Sequence, residues 1–538
     1  MTSTSVSTSP TPSPFRILVS AVLVLTFLRV AALATTGLEL HGDEAQYWTW
    51  AQRLDFGYFT KPPLIAWIIA GATSVCGDAA WCVRLPSPIL HGLTALAVFW
   101  LTRAVFRADS RADWIGLWAG AIWITLPAVA YSALLVSTDV PLLLCWTVFL
   151  AAWRSLVDAR SGREAWLLVL VAGLALGTGL LAKYAMAFAL IGVALHMAVD
   201  RDARALLRSV KLPALIGIGL LVLSANLIWN LQNEFATVRH LGDNANLKGE
   251  LFHPLTALEF LGQQFGVFGP VPFAILIWRV VALVRGQASR AEKFLLVVTL
   301  PPLAVVTAQA VLSRANANWA VTAYPAATVL VAGWLVTQAK PRLGRWAKGL
   351  TLGPHLVAGL ALLMVAALWP TWQPPLATKG LAKLAGWEEM AQKLRPVLAQ
   401  YPDLPVMMDD RMNMAALLYT MRGELVAADR AQEGVPGTPV WAWDWNFCPE
   451  HHYEQTSRFD PEYAQPIMLW SGWEDPGPIT ASFRDVVPVG IYRVTAYGLT
   501  RVIRVFLLDR YQGHWTPPSG RLPCEPPAGQ GLLPPAGG

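Results

Sequence analysis

One stretch near the N-terminus, residues 15–48, decides the fold of this chain; it reads FRILVSAVLVLTFLRVAALATTGLELHGDEAQYW. Its first part, from Phe15 to about Leu38, is apolar and long enough to cross the roughly 30 Å of bilayer hydrocarbon as a helix. It is too long for a signal-peptide core and lacks a clear cleavage site, so we expect an uncleaved transmembrane helix. Its second part places two carboxylates, Asp43 and Glu44, just beyond the end of that helix.

The composition of the whole chain also indicates a membrane protein. Of its 538 residues, 55% are hydrophobic and only 14% are charged, with a mean hydropathy of +0.44, whereas soluble domains are about a quarter charged. The net charge of +6 arises from short basic clusters between apolar stretches, as in cytoplasmic loops. The sequence contains no P-loop, no GxGxxG after a strand and no paired CxxC, so it offers nothing for a soluble nucleotide or nucleic-acid partner.

Ten further apolar stretches follow the first, which predicts about eleven transmembrane helices. Their basic clusters occupy alternate loops, so the positive-inside rule predicts a cytoplasmic N-terminus. It also places the 38–83 loop and the C-terminal part in the periplasm of a bacterial inner-membrane protein. The ten predicted stretches are 84–106, 112–130, 140–156, 164–182, 184–199, 212–230, 260–284, 293–312, 319–338 and 349–369.

The sequence divides into four parts by composition. Residues 1–14 are rich in Ser, Thr and Pro and are expected to be a disordered cytoplasmic tail, followed by a transmembrane domain over 15–369. Residues 370–515 have the composition of a soluble α/β domain, with predicted helices at 381–400 and 413–421 and predicted strands at 404–408, 466–469 and 486–494. Residues 516–538 are rich in Pro and Gly and are expected to be disordered.

Four of the five cysteines fall on the predicted outer side, where an oxidising environment permits disulfides. The candidate pairs are Cys76 with Cys82 and Cys448 with Cys524, and unpaired thiols are the alternative. The fifth, Cys145, lies in a predicted span.

The 38–83 loop is the first candidate for chemistry. Asp43 and Glu44 stand against the hydrocarbon, where carboxylates are costly and therefore usually functional. The alternative is an interfacial helix cap, with Asp43 satisfying backbone donors of a helix that begins at Ala45. Two short Trp-rich or apolar segments, 45–54 and 64–75, are suited to lie flat on the membrane, and Pro62-Pro63 begins the second.

Other predicted outer loops carry a further carboxylate and several cations. They hold Asp139, Lys183, Arg239, His240 and Arg314. Singly, each basic residue is explained as an anchor that extends to the interface. Together they indicate an outward-facing cavity in which cations hold a phosphate leaving group while a carboxylate deprotonates an acceptor.

At these residues the chain resembles the GT-C membrane glycosyltransferases, in the protein O-mannosyltransferase-like group and its aminoarabinose lipid A transferase-like branch. Seven short motifs carry the resemblance, in the family's order, across residues 40–325. They are HGDEAQYW at 41–48, YFTKPPLIAW at 58–67, RLP at 84–86, STDVPL at 137–142, AKY at 182–184, IWN at 228–230 and ANW at 317–319.

The resemblance implies transfer of a sugar, with inversion, from a polyprenyl-monophosphate donor to an acceptor on the periplasmic side. The acceptor would be lipid A, lipopolysaccharide, another envelope glycan or a protein. Asp43 would be the general base, Glu44 would orient the site and Asp139 would be a second acidic contact. The donor phosphate would be held by Lys61, with Arg239, His240, Lys183 and Arg314 as further candidates.

Two positions depart from the aminoarabinose branch. That branch keeps a metal-linked acidic residue immediately before Lys-Pro-Pro, where this chain has Thr60. Because a hydroxyl is a poor ligand for zinc, the metal of that branch is not carried over to this chain, and no cofactor is assigned; a divalent metal is the open alternative. Gln46 replaces a basic residue of that branch, which removes one cation from the expected phosphate site.

Two other classes of function are compatible with a polytopic chain. A transporter or lipid flippase usually shows internal repeats and polar groups near the membrane midplane, and neither is visible here. An envelope scaffold would use the outer domain as a binding module. The ordered motifs favour the glycosyltransferase.

Overall fold

The computed structural model describes residues 13–159, 161–245, 251–369, 371–372, 374, 380–444, 447–515 and 532–533. The predicted tails, 1–14 and 516–538, fall almost entirely outside these residues, although the first helix already begins at Pro14. The predicted domain boundary at 370 also lies outside them, as does Cys524, so the pairing of Cys448 with Cys524 stays a prediction.

The first two thirds of the chain are helical. The helices are α1 (Pro14–Thr35), α2 (Gly42–Ala51), α3 (Leu64–Cys76), α4 (Ala80–Arg84), α5 (Pro86–Val105), α6 (Ala112–Thr125), α7 (Pro127–Ser132), α8 (Asp139–Asp158), α9 (Gly162–Ala182), α10 (Phe188–Val199), α11 (Arg201–Ala205), α12 (Lys211–Gln232), α13 (Ala236–Ala245), α14 (Pro254–Val267), α15 (Pro270–Val284), α16 (Arg290–Leu312), α17 (Tyr324–Thr337) and α18 (Pro341–Leu368). Short 3-10 helices cover Tyr184–Ala187, Leu206–Arg208 and Ala317–Ala323.

The helical part is that of a multi-pass membrane protein, as predicted. Within the described ranges, eight helices are long and apolar enough to span a membrane, and a ninth span results if the pair Tyr184–Val199 and Arg201–Arg208, bent by 106°, counts as one. The total of eleven spans stays a prediction.

Two of the predicted spans are not continuous helices. The predicted span 260–284 is broken between α14 and α15, and the predicted span 112–130 is broken between α6 and α7. In both, the second helix begins at a proline, Pro270 or Pro127. A proline has no N–H to donate to the preceding turn, so it starts a helix readily and favours a break in the helix before it.

The C-terminal part folds as an α/β domain. Its elements are α19 (Trp387–Gln400), β1 (Val406–Met408), α20 (Arg411–Thr420), β2 (Leu425–Ala427), α21 (Ala428–Gln432), β3 (Thr438–Ala442), α22 (His452–Thr456), β4 (Ile467–Ser471), α23 (Gly477–Thr480), β5 (Phe483–Ala496) and β6 (Leu499–Tyr511), with a two-residue pairing of His514–Trp515 and Leu532–Leu533.

The six strands form one sheet in the order β2-β3-β1-β4-β6-β5. Strands β1 to β4 are parallel to one another, and β6 pairs antiparallel with both β4 and β5. The predicted strands are present, and β2, β3 and β6 are additional. The predicted helix 381–400 begins at Trp387, after a 3-10 turn at Ala382–Leu384.

The 38–83 loop and the C-terminal domain share one hydrophobic core. Both predicted loop helices are present, as α2 and α3, and α2 packs against α20. The indole N–H of Trp48 donates to Asp78 Oδ1 at 2.7 Å, and its ring meets that of Tyr419 edge-on at 5.1 Å. The approach is so close that a Cβ at Gly42 would lie 2.5 Å from Met412 Cε. The C-terminal domain therefore fixes the position of α2.

A disulfide links α3 to α4 within the same loop. The predicted bond between Cys76 and Cys82 is present, with Cα atoms 5.9 Å apart. Cys145 lies in α8, as predicted, and is a free thiol.

Candidate active site

The N-terminus of α2 is built around Glu44, whose two carboxylate oxygens accept four hydrogen bonds. It accepts the His41 backbone N–H at 2.9 Å, which closes a capping box, and the Val136 N–H at 2.8 Å. Arg84 of α4 donates to both of its oxygens, at 2.9 and 2.7 Å, and both side chains are buried. Glu44 therefore positions the loop, while His41, rather than Asp43, is the cap residue.

Breaking this buried ion pair should destabilise the protein. Because Arg84→Met leaves the Glu44 carboxylate buried without its cation, we expect the free energy of unfolding to fall by about 3–5 kcal/mol. The exposed pair of Arg103 and Asp113 is a matched control, and Arg103→Met should cost less than about 1 kcal/mol. Unfolding of the purified variants in detergent measures both. Equal losses for the two variants would contradict the structural role of Arg84.

Asp43, unlike Glu44, remains accessible, with 44% of its side chain exposed. Its Oδ1 accepts from Arg411 of the C-terminal domain at 3.1 Å. The same guanidinium group donates to Gln46 Oε1, one turn further along α2. Arg411 thus holds the Asp43 carboxylate in one orientation without covering it.

Asp139 begins α8 and connects two other predicted outer segments. Lys183 Nζ donates to its Oδ1 at 2.7 Å, and Asn318 Nδ2 donates to its Oδ2 at 3.0 Å. Its position in the first turn also suits the partial positive charge of a helix N-terminus. The three motifs that contain these residues therefore meet at one point.

Lys61 is the last residue of a tight turn that begins at Tyr58. The Tyr58 N–H donates to the Lys61 carbonyl at 3.1 Å, and the Lys61 N–H donates to the Tyr58 carbonyl at 3.3 Å. The end of α12 holds the residues before this turn. Trp229 Nε1 donates to Asp55 Oδ2 and Asn226 Nδ2 donates to the Phe56 carbonyl, each at 2.7 Å. The loop is thus fixed against the membrane helices immediately before Lys61.

Lys61 is the centre of the charged cluster. Burial of its ammonium group, reinforced by the nearby charges of Lys183 and Arg411 and opposed by those of Asp43 and Asp139, lowers the pKa of Lys61 to about 8. These five residues, the charged cluster, hold two carboxylates and three cations. Asp43 and Asp139 each have a cationic partner, whereas in the described part of the chain Lys61 has no ion-pair partner. The cluster is therefore able to receive an anion at Lys61.

Three other residues were predicted to bind the phosphate: Arg239, His240 and Arg314. None of their described contacts is with a residue of the charged cluster. Arg239 pairs with Glu234 at 2.7 Å on an exposed stretch, and Arg314 is exposed in the turn before Ala317. The His240 ring lies 5.9 Å from Phe59, two residues before Lys61. The role of these three residues at the phosphate stays a prediction. Of the three, His240 contacts the segment that leads to Lys61, through Phe59.

The donor set beside Lys61 does not suit a divalent metal. Thr60 offers only a hydroxyl, while Asp43 and Asp139 are already paired with cations. Across the described residues, no group of three His, Cys, Asp or Glu side chains is arranged to hold a metal ion.

Arg411 is the site residue that sequence reasoning missed. It lies 368 residues from its partner Asp43, so no local pattern links the two. A signal was nevertheless present, because Asp409, Asp410 and Arg411 directly follow a strand of the parallel sheet. Ligand-binding side chains collect at the carboxyl ends of parallel strands.

The fold and this cluster define a multi-pass membrane protein with a polar site where the ends of its helices meet an α/β domain. The family model described as dolichyl-phosphate-mannose-protein mannosyltransferase matches residues 60–229. The chain is 34% identical over 452 residues to the lipid A galacturonosyltransferase RgtD of Rhizobium johnstonii, which covers 83% of this chain and 88% of that relative. It is also 32% identical over 197 residues to the lipopolysaccharide core galacturonosyltransferase RgtA of the same organism, covering 36% of this chain and 37% of RgtA.

A solved structure extends the match to the whole fold. The crystal structure of ArnT from Cupriavidus metallidurans bound to undecaprenyl phosphate superimposes with a TM-score of 0.63 at 14% identity, covering 91% of this chain and 97% of ArnT. The chain therefore belongs to the GT-C membrane glycosyltransferases of the ArnT and protein O-mannosyltransferase type.

Proposed function

We propose that this protein is an inverting glycosyltransferase that moves a sugar from a polyprenyl-monophosphate donor to lipid A or lipopolysaccharide. The reaction takes place on the periplasmic side of the inner membrane, where the positive-inside rule puts the charged cluster. The observation that carries the proposal is one cluster that holds an accessible carboxylate, Asp43, and a cation, Lys61, that has no ion-pair partner among the described residues.

In this proposal, Asp43 takes the proton of the acceptor hydroxyl. The acceptor oxygen then attacks the anomeric carbon on the side opposite the phosphate, and the bond between that carbon and the phosphate oxygen breaks. The electron pair leaves with the polyprenyl phosphate, whose charge is balanced by Lys61 and by Lys183, while Asp139 holds Lys183 in place. Attack from the opposite side inverts the anomeric configuration.

The sugar we propose is a uronic acid. RgtD and RgtA, both named as galacturonosyltransferases, support this choice. The cluster has more cations than carboxylates, which suits a donor that carries both a phosphate and a sugar carboxylate.

Purified protein, polyprenyl-phosphate galacturonic acid and lipid A provide the direct test. We expect mass spectrometry to find lipid A that has gained one uronic acid residue. In a strain lacking the protein, the same residue should be missing from the envelope glycolipids. Movement of the intact donor across vesicle membranes without any product would instead support a flippase.

Arg411 should act as a positioning residue for Asp43 in this reaction. Because Arg411→Ala frees the base to rotate, we expect kcat to fall by about ten- to a hundredfold with little change in the donor KM. Arg411→Lys should recover part of the loss. Arg422 is the matched control. It follows the end of α20 and stacks on Tyr419 of that helix, and Arg422→Ala should retain full activity. A rise in the donor KM with unchanged kcat would contradict this role.

A further inference from the structure

A row of cations lies where the membrane helix α18 begins. Its members, the basic row, are Lys340, Arg342, Arg345 and Lys348. The last three follow one another at three-residue spacing, so their side chains are neighbours on the helix surface. Lys340, Arg342 and Arg345 are exposed, and Lys348 is half-buried, with its ammonium group 4.8 Å from the centre of the Trp118 ring. The row therefore presents a concentrated positive charge to the outside of the protein.

No carboxylate in the described part of the chain forms an ion pair with the basic row. The sequence contains neither Asp nor Glu between Glu292 and Glu388, so α18 has no acidic residue of its own. Two carboxylates near the turn before α18 are already paired. Glu292 accepts from Arg279 at 2.8 Å, and Asp109 accepts from Arg111 at 3.0 Å. An anion from outside the described chain is therefore free to balance the row.

The basic row adjoins a lipid-facing surface of α18. Large exposed apolar side chains continue along the helix from this row, and they include Leu343, Trp346, Leu350, Val357, Leu360 and Met364. From Leu343 to Met364 the helix rises about 31 Å, which matches the roughly 30 Å of bilayer hydrocarbon. Trp346 is 72% exposed, and exposed indoles are typical of the bilayer interface. The basic row thus lies at the depth of the lipid headgroups.

The cations and the indole together suit a phosphate that is attached to acyl chains. Arg342 is one helical turn before Trp346, and Arg345 directly precedes it, so the three share one exposed surface. A guanidinium group binds two phosphate oxygens with parallel hydrogen bonds, while an indole packs against apolar groups beside a polar headgroup. A soluble anion would use the cations alone and leave the indole and the apolar surface without a role.

The length and charge of the basic row favour two phosphate groups over one. Arg342 and Lys348 are about 9 Å apart along the helix axis, farther than one phosphate group reaches. A phosphate diester carries a single negative charge, whereas the row carries four positive ones. A headgroup with two phosphates therefore matches the row better.

We propose that the basic row binds the headgroup of an anionic phospholipid that carries two phosphates, a lipid of the cardiolipin type. The acyl chains of this lipid lie along the apolar surface of α18. The row is at the opposite end of α17 from Asn318, which contacts the charged cluster through Asp139, so the lipid occupies the other leaflet. In the predicted topology this is the cytoplasmic leaflet. The inference does not depend on the proposed glycosyltransferase function.

Native mass spectrometry of the purified full-length protein, titrated with cardiolipin in a neutral detergent, tests the proposal. Because each surface cation contributes about a fivefold gain in affinity, the double variant Arg342→Gln/Arg345→Gln should bind cardiolipin about 25-fold more weakly. Arg103→Gln/Arg111→Gln is the matched control, since it removes the same charge from two exposed arginines that have their own carboxylates. The control should lose less than about twofold. Phosphatidylglycerol, with one phosphate, should bind the wild type more weakly than cardiolipin, and phosphatidylcholine should bind least.

A second measurement uses the wild-type protein and so does not depend on the folding of variants. Photoreactive cardiolipin is crosslinked to the protein, and the crosslinks are mapped by peptide mass spectrometry. We expect them within residues 340–350, around Trp346. The proposal is overturned if the crosslinks lie elsewhere, if the control variant loses as much affinity as the double variant, or if phosphatidylglycerol binds as tightly as cardiolipin. Displacement of the lipid by an equal concentration of inorganic pyrophosphate would also overturn it, because the row would then bind a free anion.

Discussion

Asp43→Asn should lower the rate of sugar transfer by about 10²–10⁴-fold, the usual contribution of a positioned general base. Asparagine has nearly the same shape and keeps an oxygen that can accept from Arg411, but it cannot take a proton from the acceptor. The donor KM should therefore stay close to the wild-type value. Initial rates with saturating donor and acceptor measure the effect.

Asp78→Asn is the matched control for this experiment. Asp78 lies on the same loop, and its Oδ1 accepts from the Trp48 indole, a bond that asparagine can also make. Its variant should transfer sugar at nearly the wild-type rate. If Asp43→Asn retains more than about a tenth of the wild-type rate, Asp43 is not the general base.

Lys61→Met should lower kcat/KM for the donor by about 10²–10³-fold, as expected for removal of one group that stabilises a developing anion. Methionine keeps most of the length of the lysine side chain but has no charge to offer the departing phosphate. Lys393, an exposed lysine paired with Glu389 in the C-terminal domain, serves as the control, and Lys393→Met should behave as wild type.

The pH dependence separates this role of Lys61 from a structural one. Because its pKa is lowered to about 8, the free enzyme should lose donor kcat/KM as the pH rises through about 8. Folding stability should change in the opposite direction. Above pH 8 the unfolded lysine holds more protons than the folded one, so the stability contribution of Lys61 increases up to the ordinary lysine pKa near 10.5.

Lys61→Arg should move the alkaline limb beyond the accessible pH range, because arginine stays charged. An alkaline limb that persists unchanged in Lys61→Met would contradict the assignment of Lys61 to the donor phosphate.

Hydropathy and the short motifs were sufficient to predict a helical membrane protein, while the placement of its site near Asp43 and Lys61 stays a prediction. The resemblance implied different roles for Asp43 and Glu44, but nothing local in the sequence shows what makes the two carboxylates differ. That difference depends on Arg84, which lies 40 residues away and comes back to Glu44 only in the folded loop. Adjacent residues on a helix point in different directions, so one carboxylate is buried and the other remains accessible.

The sheet of the C-terminal domain was predicted only in part, for two reasons. Strands β2 and β3 have only three and five residues, too few for a periodic signal. Strand β6 carries Arg501, Arg504 and Arg510, which obscure its alternation of polar and apolar residues. The Pro270 break within the predicted span 260–284 was visible in the sequence, but hydropathy alone does not register it.

The C-terminal domain also changes the interpretation of Gln46. In the sequence, Gln46 indicated the loss of a cation from the phosphate site. In the folded protein, Arg411 donates to Gln46 and supplies a cation at the same place from the C-terminal domain. The domain is therefore part of the candidate active site.

The most direct test of the central claim is the choice of donor together with the stereochemistry of the product. Purified enzyme is incubated with lipid A and with galacturonic acid linked either to polyprenyl monophosphate or to a nucleotide diphosphate, and the anomeric configuration of the product is determined by NMR. We expect transfer from the polyprenyl donor alone, with the configuration inverted. Transfer from the nucleotide sugar, or retention of configuration, would contradict the mechanism proposed for Asp43 and Lys61.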